Sequence, residues 1–295
     1  MTHALPLLLS ASLLLMTSAV AAPPPAPSDA CGLAHQPLTG TLVQIPFESV
    51  DGRIYVQARV NGREHYRFAV DTGASGIGRA DMRLVSALGL PLHGETTTSD
   101  GVAQARVNTA RIEALQLGEL VHRDVDVIAR DYNARNAPDA AFDGILARDF
   151  FADGLLRIDY PKRLLTFSRT EQLAASSANA LPYTRAFRIP VSIDGHPFVA
   201  QLDTGANIGF VLPQTVFEQV SDQPLGESVR SQLTNGQLES WRAVVKGPIR
   251  VGQVSHDEME VRVSPKYPEL LVGAHALQDA VVMIDSRSHV VAVCR

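Results

Sequence analysis

The amino-acid sequence predicts an all-β protein made of two copies of one unit, and three observations support this fold class. Asp-Thr-Gly-Ala occurs twice, at 71–74 and at 203–206, each time at the end of an apolar run. Period-2 alternation of apolar and polar residues dominates both halves, whereas helical patterns are short, as at 80–88 and 213–220. Six elements recur in the same order in both halves, which indicates a duplicated unit.

The first two elements of each copy form a hairpin that leads into Asp-Thr-Gly. In the first half, 54–60 alternates, Asn61-Gly62 follows, and a second strand runs into Asp71. In the second half, 189–193 alternates, Asp194-Gly195 follows, and 198–202 leads into Asp203. Asn-Gly and Asp-Gly favour tight hairpins because both central residues of such turns need positive φ. Each Asp-Thr-Gly is therefore predicted to follow the second strand of a hairpin.

The other four elements are a polar hairpin tip with Gly, a Gly followed by a strand pattern, a short apolar segment and a terminal pair of strands. They match in the pairs 96–101 with 233–236, 115–127 with 249–261, 142–150 with 269–277, and 155–167 with 281–293. Between the copies, 171–182 is small, polar and without periodicity, as expected of a linker. The predicted lobes are therefore 40–170 and 183–295.

The first 22 residues have the pattern of an export signal. An apolar run over 4–20 ends in Ala-Val-Ala at 19–21, a small-x-small cleavage pattern, and a Pro-rich segment over 23–39 follows. The region before the run contains no Lys or Arg, so an uncleaved anchor stays open as an alternative, although about 17 apolar residues are short for a span. We expect an exported chain, periplasmic or secreted, without stable membrane insertion after cleavage.

Composition and cysteine count narrow the classes of partner and cofactor. The formal charge of −5 without a basic cluster gives no indication of nucleic-acid binding. The two Cys and nine His show no metal-ligand spacing, so neither a metal nor another cofactor is predicted. Cys31 and Cys294 lie at opposite ends of the mature chain, where a disulfide would form in an oxidising compartment. Two unpaired buried thiols are the alternative.

Both copies carry an apolar residue before Asp-Thr-Gly-Ala, a Gly-tipped hairpin and then an apolar segment. The sequences are VDTGA and ILA in the first half and LDTGA and LVG in the second. This pattern resembles the pepsin and retropepsin group of aspartic proteases over nearly all of the mature chain. The resemblance implies a bilobal acid-protease fold, with two duplicated β-barrel-like lobes and the active-site cleft between them. It also implies a monomer that hydrolyses peptide or protein substrates.

The resemblance assigns the catalytic dyad to Asp71 and Asp203, with the attacking water between them. As in aspartic proteases generally, two carboxyls roughly 3 Å apart cannot both ionise cheaply and therefore share a proton. Around the dyad the resemblance gives three kinds of supporting residue. Threonines reach across to the opposite loop with their hydroxyls, and glycines allow close approach and leave an N–H for the carboxylate. Alanines stand where pepsins often carry Ser or Thr. These residues are Thr72, Gly73 and Ala74 in the first loop and Thr204, Gly205 and Ala206 in the second. Without the Ser or Thr hydroxyl we expect a less acidic working range than that of pepsin.

The hairpin tips are expected to act as flaps over the substrate, with plain surface hairpins as the alternative. The residues concerned are Thr98, Gly101, Thr234 and Gly236, and neither tip contains the Tyr of pepsin-type flaps. Ala147 stands where the family has Gly, and the extra methyl is expected to cost about 1 kcal/mol or to shift the catalytic loop. The alternative function is a catalytically weak or inactive protease-like protein of the cell envelope that binds peptides.

Overall fold

A computed structural model gives the structure of Met1 and of residues 28–134, 136–185 and 187–295. The predicted signal peptide over 1–22 lies, except for Met1, outside the described residues. Within the described part of the chain, no helix is long and apolar enough to cross a membrane.

Strands account for most of the regular structure. In the first half they are β1 (Thr41–Pro46), β2 (Glu48–Val50), β3 (Arg53–Val60), β4 (Arg63–Asp71), β5 (Gly78–Asp81), β6 (Leu92–Ser99), β7 (Gln104–Leu117), β8 (Leu120–Arg130), β9 (Gly144–Ala147), β10 (Leu155–Asp159) and β11 (Leu164–Ser168). In the second half they are β12 (Leu181–Pro182), β13 (Arg188–Ile193), β14 (His196–Asp203), β15 (Phe210–Pro213), β16 (Ser228–Gln232), β17 (Gln237–Val245), β18 (Ile249–Val251), β19 (Val254–His256), β20 (Met259–Ser264), β21 (Leu270–Gly273), β22 (Val281–Asp285) and β23 (Val290–Cys294). The helices are α1 (Met82–Leu88) and α2 (Gln214–Val220), with short 3-10 segments at Ala30–Ala34, Pro138–Ala140, Arg148–Phe151 and Ala274–Leu277.

The strands form three sheets, one for each half and one shared by both. The sheet of the first half has the order β2-β3-β4-β9-β5-β8-β7-β6, and that of the second half has the order β16-β17-β20-β15-β21-β14-β13-β18-β19. The third sheet, β1-β11-β10-β22-β23-β12, takes strands from both halves. The prediction of an all-β bilobal fold is confirmed.

The same three-strand arrangement holds the Asp-bearing strand in each half. In the first half β4 runs parallel to β9, with Val70 opposite Leu146, and β5 lies antiparallel on the other side of β9. In the second half β14 runs parallel to β21, with Leu202 opposite Val272, and β15 lies antiparallel beyond it. The repeated topology is the structural counterpart of the repeated sequence.

The predicted hairpin turns before both Asp-bearing strands are confirmed. Asn61 and Gly62 have φ of 49° and 75°, and Asp194 and Gly195 have φ of 49° and 79°. Both central residues are thus in the left-handed region, which these turns require. The short helices begin slightly later than expected: Asp81 ends β5 and caps α1, its carboxylate accepting from the N–H of Arg83 at 2.9 Å.

The shared sheet forms the base of the molecule, because β10 and β22, one from each half, pair along their full length. Every residue of β10, β22 and β23 is buried, so these strands are covered on both faces, and most of their residues are apolar. The hydrophobic core continues from one half into the other through this sheet.

The described part of the Pro-rich segment is attached to the shared sheet. Cys31 and Cys294 form a disulfide with a Cα–Cα distance of 5.6 Å, which is the first of the two alternatives for these residues. The guanidinium of Arg157 in β10 donates from Nη1 to the carbonyls of Leu33 and Gln36 at 2.9 and 2.7 Å. The disulfide and these hydrogen bonds therefore tie the segment from Cys31 to Gln36 to the base.

The predicted linker over 171–182 also packs on the sheet. Leu173 is buried, and its N–H donates to Asp285 Oδ2 at 3.0 Å. The last two linker residues form β12 and pair with β23. The few apolar side chains of the segment, such as Leu173, pack on the sheet individually and hold the segment in place. Because they are few, they produce no periodic pattern in the sequence.

Candidate active site

The two Asp-Thr-Gly loops are locked together by their threonines. The N–H of Thr72 donates to Thr204 Oγ1 at 3.1 Å, and the N–H of Thr204 donates to Thr72 Oγ1 at 3.0 Å. Each hydroxyl in turn donates to a carbonyl of the opposite strand, Thr204 to Val70 at 2.9 Å and Thr72 to Leu202 at 3.3 Å. Both threonines are buried, so this exchange of four hydrogen bonds fixes the loops where β4 and β14 end.

The glycines bring the two carboxyls together. A Cβ built on Gly73 would lie 2.3 Å from Asp203 Oδ2, and one built on Gly205 would lie 2.4 Å from Asp71 Cγ. Each carboxyl therefore rests against the glycine of the opposite loop, where no side chain fits. The predicted pair, Asp71 and Asp203, meets at the junction of the halves.

The backbone donors of the two carboxylates differ. Gly205 donates its N–H to Asp203 Oδ1 at 2.8 Å, as expected for the glycine. In the first loop the donor to Asp71 Oδ1 is Ala74, at 2.9 Å, one residue later than expected. The loops diverge after Asp-Thr-Gly, because Gly76 at φ 83° occupies the place that Ile208 has in the second half. Neither Ala74 nor Ala206 offers a hydroxyl at this position.

The pair is asymmetric in its electrostatics. Burial, the charge of Asp71 and a hydrogen bond with the Asp71 side chain raise the pKa of Asp203 to about 7, against the opposing effects of the Gly205 N–H and of Arg53. The raised pKa favours the neutral form of Asp203 in weakly acidic solution. One neutral and one ionised carboxyl is the arrangement that acid–base chemistry on a carbonyl needs.

Arg53 is a residue near the site that sequence reasoning missed. At the start of β3 in the first half, it donates from Nε to the carbonyl of Gly205 at 2.7 Å and from Nη2 to Asn207 Oδ1 at 3.2 Å. Its charge favours the ionised form of Asp203. The contact exists only because the halves pack together, so no local sequence pattern indicates it.

Ala147 is buried at the place where the second half has Gly273. Ala147 and Gly273 are equivalent: the N–H of Ala147 donates to the carbonyl of Ile77 at 3.0 Å, and that of Gly273 to the carbonyl of Gly209 at 2.8 Å. A Cβ on Gly273 would lie 2.3 Å from the carbonyl oxygen of Ile208. The first half has Gly76 in the place of Ile208, and Ala147 is fully buried there. The first loop thus has a glycine with positive φ at the place where the second loop has Ile208.

The two predicted flap hairpins meet at their tips. The first is β6–β7, with Thr98 near its tip and Gly101 in the turn at φ 87°, and the second is β16–β17, whose turn contains Thr234 and Gly236. Asn235, which the sequence did not single out, links them: its Nδ2 donates to the carbonyls of Thr98 at 3.1 Å and Ala103 at 3.0 Å. Its Oδ1 accepts from Arg130 Nη1 of β8 at 2.6 Å.

A tyrosine of each half lies near the aspartate of that half. Tyr132 follows β8 and Tyr267 follows β20, which occupy equivalent places in the two sheets. Burial raises the pKa of both phenols; the charge of Asp71 adds to this for Tyr132, and the charge of Asp203 for Tyr267. A Cβ on Gly101 would lie 3.7 Å from Tyr267 Cε2, so this ring reaches the first hairpin tip. The signal was present in the sequence, since a tyrosine follows the matched segments 115–127 and 249–261 at similar distances.

Comparison with protein families gives two matches, one in each half. The model described as aspartyl protease matches residues 56–150, and the model described as gag-polyprotein putative aspartyl protease matches residues 189–279. Together the matches span more than half of the chain, and each includes one Asp-Thr-Gly loop. No curated protein sequence matches the chain with significant similarity. Since both halves match aspartyl protease models and their loops form one site, the chain belongs to the retropepsin-like family of aspartic proteases.

Proposed function

We propose that this protein is an aspartic endopeptidase that hydrolyses peptide bonds with a water activated by Asp71 and Asp203. The observation that carries the proposal is the packing of each carboxyl against the glycine of the opposite loop, which brings both acids to one point. A single chain supplies both acids, which supports a monomeric enzyme. Membership of an aspartic protease family supports the reaction class.

The raised pKa of Asp203 assigns different roles to the two carboxyls in the first proton transfers. Asp71, ionised, takes a proton from the water as the water oxygen attacks the peptide carbonyl carbon. Asp203, protonated, donates to the carbonyl oxygen, which becomes a hydroxyl of the tetrahedral intermediate. The raised pKa of Asp203 supports its role as the acid.

The second half of the reaction restores the starting state. Asp71 passes the proton taken from water to the leaving nitrogen while the carbon–nitrogen bond breaks. The hydroxyl formed at the carbonyl oxygen returns its proton to Asp203, and the products are a carboxylic acid and an amine. The water supplies all the atoms that are added to the peptide, so the proposed reaction needs no cofactor.

The substrate would lie extended between the dyad and the joined hairpin tips. Entry then requires the contacts of Asn235 with Thr98 and Ala103 to open, because these contacts connect the two hairpins above the site. Peptides and unstructured protein segments are the substrates that can thread under such a lid.

We further propose that the mature protein acts in an exported, oxidising compartment, either the periplasm or the exterior of the cell. The disulfide between Cys31 and Cys294 supports this, since disulfides persist mainly outside the reducing cytosol. The export pattern over 1–22 supports the same location.

The test is cleavage of a peptide library by the purified chain from residue 23 onward, between pH 3 and 7. Asp71→Asn and Asp203→Asn are expected to lower kcat by at least about a hundredfold each, because each removes one acid–base group. Asp153→Asn, which neutralises an exposed acid paired with Arg169, is the matched control and should retain activity. We expect a maximum above about pH 3, since Ala74 and Ala206 lack the hydroxyl that favours the ionised form. A folded native chain that binds peptides but cleaves none would favour the peptide-binding alternative.

A further inference from the structure

A buried arginine lies on the face of the first sheet that carries Asp71. Residues paired directly across neighbouring strands share a face of the sheet. Ala69, two residues before Asp71 on β4, pairs with Ile145, and Ile145 pairs with Arg79 of β5. A Cβ on the adjacent Gly78 would meet Leu115 and Val127 of the core. Arg79 therefore points away from the core and toward the catalytic side.

Among the described residues, no carboxylate forms an ion pair with the Arg79 guanidinium. Arg79 is only 8% exposed, and its Nη1 is buried without a hydrogen-bond partner among the described residues. The Tyr132 phenol is also buried, and it lies close enough to Arg79 for the charge and hydrogen bonding of the guanidinium to oppose the effect of burial on the phenol pKa. A buried cation without a counter-ion is unfavourable, so the two groups are suited to an anion that arrives from outside.

The other charged groups on this face are already engaged. Asp81 accepts from the N–H of Arg83 at 2.9 Å and from the N–H of Tyr132 at 2.7 Å. Arg130 donates to Asn235 of the second hairpin. Asp71 faces Asp203 across the two loops. None of these leaves a carboxylate within 4 Å of Arg79 in the described ranges.

The second half has no such group at the equivalent place. Val211 of β15 pairs with Leu271 of β21, as Arg79 pairs with Ile145, so the equivalent residue is an apolar valine. Nearby, Arg188 is paired with Glu269 at 2.7 Å. At these equivalent places the first half has a cation and the second has an apolar residue, a difference that would distinguish the two directions of a bound peptide.

We propose that Arg79, with Tyr132 Oη, forms a subsite for a carboxylate of the peptide substrate. This inference rests on the proposed function and deepens it by naming a substrate class: peptides with Asp or Glu at one position near the scissile bond, or with a free C-terminal carboxylate there. The planar guanidinium can bind both oxygens of a carboxylate, and the phenol can donate a further hydrogen bond.

The test measures peptide binding on the Asp203→Asn background at pH 6.5, so that it does not depend on turnover. Peptides that differ only by Glu or Gln at each position in turn, and by a C-terminal acid or amide, separate the two carboxylate sources. We expect one position, or the terminus, at which the carboxylate peptide binds about tenfold tighter or more. Arg79→Met should abolish that preference and Arg79→Lys should retain part of it.

Arg111→Met is the matched control, because it removes the same charge from an exposed site where Arg111 pairs with Asp126 at 2.7 Å. Its carboxylate preference should equal that of the parent. Tyr132→Phe keeps the ring and should lower the preference about threefold, which provides a second variant if Arg79→Met does not fold.

Two results would overturn the inference: no carboxylate preference at any position in the parent, or an unchanged preference in a folded Arg79→Met. Neither depends on catalysis. A native chain that cleaves nothing would count against the proposed function, while the binding preference would still report on Arg79.

Discussion

Asn235 of the second hairpin donates its backbone N–H to Asp100 Oδ2 of the first hairpin at 2.6 Å. With the two bonds from its side-chain amide, this contact makes a single lid of hairpins that belong to different halves of the chain. Because the partner is a carboxylate, the bond is of the stronger, charge-assisted kind. The two hairpins are thus held together at their tips.

Replacing Asn235 with Ala should loosen this lid. The side-chain bonds to Thr98 and Ala103 are lost, and loss of one such bond costs about 0.5–1.5 kcal/mol. Backbone amides of 96–106 and 230–238 are expected to exchange with deuterium several-fold faster, as measured by mass spectrometry. Gln219→Ala on the exposed side of α2 should leave this exchange unchanged. Unaltered exchange in Asn235→Ala would mean that the tips are held by other contacts.

The raised pKa of Asp203 predicts how stability depends on pH. A carboxyl whose pKa is raised in the folded state keeps its proton there after the unfolded chain has lost it. Its contribution to stability is complete below about pH 4 and falls as the pH rises to about 7. Asp203→Asn removes this loss, so its free energy of unfolding, measured by urea titration, should decline less between pH 4 and 7. A parallel decline in both proteins would contradict the assignment of the proton to Asp203.

The cross-loop threonines should be more sensitive to loss of the hydroxyl than to loss of the methyl. Thr72→Val has nearly the same shape but leaves the N–H of Thr204 without its acceptor, and an unsatisfied buried donor costs about 1–3 kcal/mol. Thr72→Ser keeps the acceptor and should be closer to native in urea unfolding. Equal effects of Val and Ser would show that packing of the methyl, rather than the hydrogen bonds, holds the loops.

The substitutions Gly273→Ala and Ala147→Gly should lower the free energy of unfolding by different amounts. Gly273→Ala places a methyl against the carbonyl of Ile208 and should destabilise the protein by about 1–3 kcal/mol. Ala147→Gly removes a methyl from a buried site that accommodates it and should cost about 1 kcal/mol. Urea unfolding of the two single variants tests the order. A neutral Gly273→Ala would show that the second loop can follow the path taken through Gly76.

The sequence by itself determined the duplicated all-β architecture and the two loops. Apolar alternation, Asn61-Gly62, Asp194-Gly195 and the paired Asp-Thr-Gly segments are local features whose backbone requirements can be read along the chain. Duplication then strengthened each assignment, since every element was observed twice. The resemblance of these loops to those of aspartic proteases implies that Asp71 and Asp203 meet.

The tertiary structure alone decided what breaks the symmetry between the halves. Arg53 at Gly205, Asn235 at Asp100 and the unpartnered Arg79 facing the catalytic side all depend on which surfaces of the two halves come together. Such contacts join residues that are far apart in sequence. Their energies arise from burial and from the pairing of charges, and the local alternation of apolar and polar residues does not predict either. Duplication predicts two equal loops, and only packing determines that burial and the neighbouring Asp71 raise the pKa of Asp203.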